Sequence, residues 1–94
     1  MLYAAPSLIE PITPIDSPPA LGQAVRQARK QLGLTQPQLA LAAGVGVGVG
    51  VGVRFIVDLE AGKPTLRLEH ILRVLHALGG TLAIAGLPPT AEST

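Results

Sequence analysis

The side chains able to do chemistry in this chain are two histidines, a few carboxylates and a scatter of cations. They are not spaced for catalysis. His70 and His76 lie six residues apart, which on one helix turns them about 120° away from a common face, a poor spacing for a shared metal ion. No Ser-His-acid set or carboxylate pair stands out. Val and Gly alternate from Gly44 to Val53, but this glycine-rich run lacks the Lys and Ser/Thr of a nucleotide-binding loop. Cysteine is absent, which excludes disulfides and thiolate metal sites and suits a cytoplasmic protein. The expectation is a protein that is not an enzyme and has no cofactor or metal. With a formal net charge of only +1, the distribution of cations, not their sum, must show whether a polyanion is a partner.

The elements that would position these groups are mostly helices. A length of 94 residues suits one small domain. Apolar residues make up 48% of the chain, yet it has one Phe, one Tyr and no Trp, so its core must be aliphatic. No apolar run reaches the roughly 18 residues of a membrane span, and no basic region precedes the apolar start "MLYAAPSLIE", so neither a membrane segment nor a signal peptide is expected. Residues 1–20 carry Pro6, Pro11, Pro14, Pro18 and Pro19, a density that predicts an extended or turn-rich arm. The arm is either a loose tail or, given Leu2, Tyr3, Leu8, Ile9, Ile12 and Ile15, a segment that packs on a partner.

In "LGQAVRQARKQL", 21–32, a stripe of Leu21, Val25, Ala28 and Leu32 predicts an amphipathic helix stopped by Gly33. "TQPQLALAA", 35–43, opens with a Thr35-x-x-Gln38 capping box and a tolerated Pro37. "RFIVDLEAG" predicts a short helix with Phe55, Ile56 and Leu59 inward. "LEHILRVLHAL", 68–78, has Leu68, Ile71, Leu72, Leu75 and Leu78 at helical spacing. "TLAIA", 81–85, alternates like a strand, with Leu82 and Ile84 on one side. One strand is not stable alone, so a dimer strand over 81–86, or pairing with the N-terminal arm, is expected. Residues 87–94 read as a tail.

Two short helices after a longer one form the skeleton of a helix-turn-helix. The stretches "LGQAVRQARKQLGLTQPQLALAAGV" and "RFIVDLEAGKPTLRLEHILRVLHALG" resemble the Cro/lambda-repressor-like (Xre-type) helix-turn-helix family, most narrowly HipB-type antitoxin regulators. The resemblance spans about two-thirds of the chain, residues 21–85, and implies an all-α bundle of about four helices over 21–80. It implies a sequence-specific repressor that binds double-stranded DNA as a homodimer through Leu82 and Ile84. The alternative is an interaction module for a HipA-like kinase, with DNA binding weakened by the Val-Gly insertion. By this resemblance 36–43 is the supporting helix and 53–61 the recognition helix. Gln36 then meets a backbone phosphate, and the turn of Gly52, Val53, Arg54 and Phe55 faces the major groove. Arg54 is the natural base contact there; Arg29, Lys30 and Lys63 are candidate phosphate partners. Phe55 and Ile56 also fit the core. Asp58 and Glu60 must turn away from phosphate or pair with cations.

The repeat is a departure from this pattern. A turn reading "AGVGVRFI" would fit, and this chain is six residues longer there. Lengthening a flexible turn from about 4 to about 10 residues costs only about 0.5–1 kcal/mol, while each well-buried side chain of the following helix contributes about 1.5–3 kcal/mol. The fold should therefore survive, with the aim of Arg54 more exposed to the change. The repeat itself is open to three readings: a loop, an extended apolar edge, or a helical continuation against about 0.8–1 kcal/mol per Gly.

Overall fold

The computed structural model describes residues 11–44 and 52–88. Residues 45–51, on which the three readings of the repeat fall, lie outside the described residues, as do 1–10 of the arm and 89–94 of the tail. Four helices are described: α1 Pro18–Gln31, α2 Gln36–Ala43, α3 Gly52–Glu60 and α4 Leu68–Ala77. None is long and apolar enough to cross a membrane.

Local signals start α1 and both start and stop α2. Pro18 and Pro19, expected in the arm, instead form the first turn of α1. Proline is tolerated there because those amides have no intrahelical partner, and the Ser17 hydroxyl accepts the Ala20 amide at 3.2 Å. The arm therefore gives way to helix at residue 18. The predicted capping box of α2 is formed: Thr35 Oγ1 accepts from the Gln38 amide at 3.1 Å and Gln38 Oε1 accepts from the Thr35 amide at 2.8 Å. Gly44 closes α2 in the left-handed conformation, φ 67°. Gly62, φ 84°, turns the chain after α3 where a side chain would strike the Pro19 Cα.

The hydrophobic core is aliphatic apart from Phe55: Val25, Leu39, Ala40, Phe55, Ile56, Leu59 and Val74 are buried. α3 packs on both α1 and α2, and α2 also packs on α4. Two predicted stripes are displaced. On α1 the inward positions are Gly22, Val25 and Arg29; Leu32 falls beyond the last helical residue and is exposed. On α4 the inward line runs through His70 and Val74, flanked by half-buried Ile71, Leu75 and Leu78, and Leu68 at the helix start is exposed. The C-terminal strand is a further correction. Residues 81–85 form no strand, because no other described segment runs beside them to take up their backbone hydrogen bonds. Dimer pairing through that strand is therefore not seen, and Leu82 and Ile84 stand exposed.

Two contacts fix α3 against α1. Gly22 lies so close to the end of α3 that a Cβ there would sit 2.4 Å from the Leu59 carbonyl oxygen and 2.7 Å from that of Glu60. Beside it, Arg29 donates from Nε to Glu60 Oε2 at 2.6 Å and from Nη2 to Glu60 Oε1 at 3.0 Å, while Nη1 donates to the Leu34 carbonyl at 2.9 Å. The two side chains retain only 11% and 4% of their exposure. The hydrogen bond to Glu60 raises the Arg29 pKa, burial opposes the rise, and the Glu60 charge adds to it.

Both contacts carry expected outcomes. Gly22→Ala gains up to about 1 kcal/mol of helix propensity but forces α1 and α3 apart at a cost of about 1–3 kcal/mol. The net effect is a lower melting temperature by circular dichroism, and an unchanged or raised one would contradict the close approach. Glu60→Ala leaves a buried guanidinium without its countercharge and should cost about 3–5 kcal/mol in urea denaturation. Glu69→Ala, which removes an exposed partner of Arg67, should cost under about 1 kcal/mol.

Candidate nucleic-acid interface

α2 and α3 present the side chains from which a site could be built. Arg54, in the first turn of α3, keeps 80% of its side chain exposed and rests on Asp58 one turn later, Nε to Oδ1 at 3.3 Å. Lys63, just past the helix, reaches the other oxygen of Asp58 at 3.7 Å. Pairs this exposed contribute little to stability, so Asp58 holds both cations loosely and can yield them to a competing anion. Val53 is exposed beside Arg54, and Gly52 is half-buried with φ 34°. Lys30 is exposed in the last turn of α1.

Two candidates lie elsewhere than the expected surface. Arg29 is turned into the protein, with its three donating nitrogens engaged by Glu60 and Leu34; it is a strut between helices and not a free cation. Phe55 is a core residue, its ring meeting the His70 ring edge-on at 5.4 Å and 87°. An apolar ring three residues into an amphipathic helix could face either way, and here burial against α4 wins. Gln36 is half-buried and donates from Nε2 to Glu60 Oε1 at 3.2 Å. Glu60 and Asp58 are both paired with cations, one of the two dispositions expected of them.

Sequence reasoning missed the stretch between α3 and α4. Thr65 and Arg67 are exposed and line one shallow depression with Arg54, Asp58 and the edge of His70. Their only signal in the sequence was position, immediately after "GKP". His70 is buried and its Nδ1 has no hydrogen-bond partner among the described residues, while His76 is exposed. The pair does not converge, and no group of three or more potential metal ligands occurs among the described residues.

The surface is thus a two-helix unit with one long, exposed guanidinium at the start of its second helix. Exposed lysines lie at the end of α1 and on the loop after α3. An uncharacterized HTH-type transcriptional regulator, y4mF, of Sinorhizobium fredii (strain NBRC 101917 / NGR234) is 47% identical over 70 residues, 74% of this chain and 84% of that relative. The helix-turn-helix family matches residues 25–84, which span all of α2, α3 and α4 and the inner part of α1, and the chain belongs to that family.

Proposed function

We propose that this chain is a sequence-specific DNA-binding transcription regulator that lays α3 in the major groove. The observation that carries the reading is Arg54, exposed in the first turn of α3 within a chain of the helix-turn-helix family. Arginine is the commonest partner of guanine, through two parallel hydrogen bonds to O6 and N7. Val53 and Gly52 lie beside it, Lys30, Lys63 and Arg67 supply cations for phosphate, and Gln36 offers an amide donor at the start of α2. Arg29 and Phe55 are not among the proposed contacts. The regulator acts as a repressor, and as a homodimer on paired half-sites, with the exposed Leu82 and Ile84 supporting a second copy as partner. A narrower role as a HipB-type antitoxin that also holds a HipA-like kinase rests on the residue pattern of 21–85 alone; stable co-purification with a kinase encoded beside it, unaffected by Arg54→Ala, supports it.

Fluorescence anisotropy with a labelled duplex from the gene's own upstream region tests the DNA reading. Arg54→Ala should weaken that complex by about 5–150-fold, the equivalent of about 1–3 kcal/mol, with little effect on a scrambled duplex. Lys63→Ala should weaken both duplexes alike and reduce the slope of log K against log salt by about 1. Equal, weak affinity of the unaltered chain for the upstream and scrambled duplexes overturns the reading.

A further inference from the structure

We propose that Glu60 is the positioning residue that sets the recognition helix α3 against α2, acting through Arg29 and Gln36, and that the length of the Val-Gly turn does not. The inference deepens the DNA-binding reading and rests on it for its consequence at DNA. In a helix-turn-helix the turn is the obvious element to aim the second helix. Here, however, seven residues, 45–51, join Gly44 to Gly52. A chain reaches up to about 3.3–3.6 Å per residue, so seven residues can bridge any separation up to about 25 Å. Packed helices such as α2 and α3 have axes only about 8–10 Å apart. A connection whose length exceeds the separation it must bridge does not by its length fix an angle.

The far end of α3 is held differently. Glu60 is its last residue, and its carboxylate is bonded to two nitrogens of Arg29 on α1 and to Gln36 Nε2 on the first residue of α2. Arg29 also donates to the Leu34 carbonyl, in the segment leading into α2. One buried carboxylate thus ties three helices, and the Gly22 approach to Leu59 and Glu60 fixes the same corner by shape. Carboxylate and guanidinium meet with directional, charge-assisted bonds, which apolar packing cannot supply. The tie also acts on Gln36. An ionised carboxylate only accepts hydrogen bonds, so it selects the Nε2 end of the carboxamide and leaves the second N–H of that group to donate elsewhere. Glu60 therefore orients both the helix that carries Arg54 and the amide proposed to meet a phosphate.

The experiment is a cycle between turn length and the tie. Residues 46–51 are deleted in the full native chain and, separately, in Glu60→Gln and Arg29→Lys, the second variant serving if the first does not fold cooperatively. Amide resonances of residues 36–41 and 54–60 report helix placement, and anisotropy with the upstream and scrambled duplexes reports recognition. In the native chain the deletion should leave those resonances in place and change the preference for the upstream duplex by less than about threefold. In the tie variants the same deletion should shift the α3 resonances and recover about tenfold or more of a weakened preference. If the deletion alone moves the α3 resonances and tightens specific binding by about tenfold in the native chain, the turn sets the helix and the proposal is overturned. If the two changes act independently in both readouts, it is overturned as well. Should no version prefer the upstream duplex, the DNA reading fails, while the resonances still decide whether Glu60 positions α3.

Discussion

The Arg29–Glu60 pair is the constraint on which the rest of the domain hangs. Removing two charges from water carries a desolvation penalty of several kcal/mol for each ion, and only good geometry with further hydrogen bonds repays it. Here the geometry is good: the guanidinium meets both carboxylate oxygens and has a backbone carbonyl for its remaining nitrogen. The surrounding core consists of a few aliphatic side chains and the rings of Phe55 and His70; burial is itself non-directional, and helix packing sets a crossing angle only to within about 15–20°. A directional ion pair at the corner where α1, the start of α2 and the end of α3 meet supplies that angle. The glycine at position 22 belongs to the same corner, because any side chain there would drive the two helices apart.

This corner also sorts the charged residues by role. Glu60, which would repel a phosphate if exposed, is consumed by a buried cation. Asp58 is half-exposed and shared between Arg54 and Lys63, so it holds them without removing them from solvent. The same formal charge thus does two different things a little over half a turn apart, according to which face of α3 it occupies. Phe55 lies between these faces in sequence, yet its burial against His70 fixes it inward, leaving Val53 and Arg54 as the outward part of that turn.

What the sequence revealed and what it hid follow from the range of each interaction. The capping box at Thr35 and Gln38, the glycine stop at Gly44 and the inward set Phe55, Ile56 and Leu59 depend on neighbours within one helical turn, and all were legible. The start of α1 was misplaced because dense proline reads as extended chain, whereas a serine cap places two prolines where helices accept them. Arg29 was read as a surface cation because its partner lies 31 residues away, a separation no local pattern encodes. Alternation at 81–85 was legible, but a strand is a property of two segments, and the alternation cannot name the second. Arg67 and Thr65 were missed because they lie in a connection with no periodicity of its own.

The cation inventory bears on how such a domain could hold DNA. Exposed Lys30, Lys63 and Arg67 give three candidate phosphate contacts per chain, with Arg54 reserved for a base. Each neutralised phosphate contributes about 0.9 to the salt slope, so a single copy has a shallow slope and a small electrostatic share of affinity. Adding more lysines would raise binding to every sequence alike. A second copy instead doubles both the phosphate contacts and the base contacts while keeping their ratio, and it turns the second half-site into an intramolecular encounter. That route needs an association energy that does not fade with salt. Burial of apolar surface is such an energy, and the exposed Leu82, Ile84 and Leu87, in the stretch after α4, are apolar groups from which it could be drawn. On the proposed reading, the weak net charge and the uncovered C-terminal leucines and isoleucine therefore answer the same requirement: specificity obtained by pairing modules instead of by adding charge.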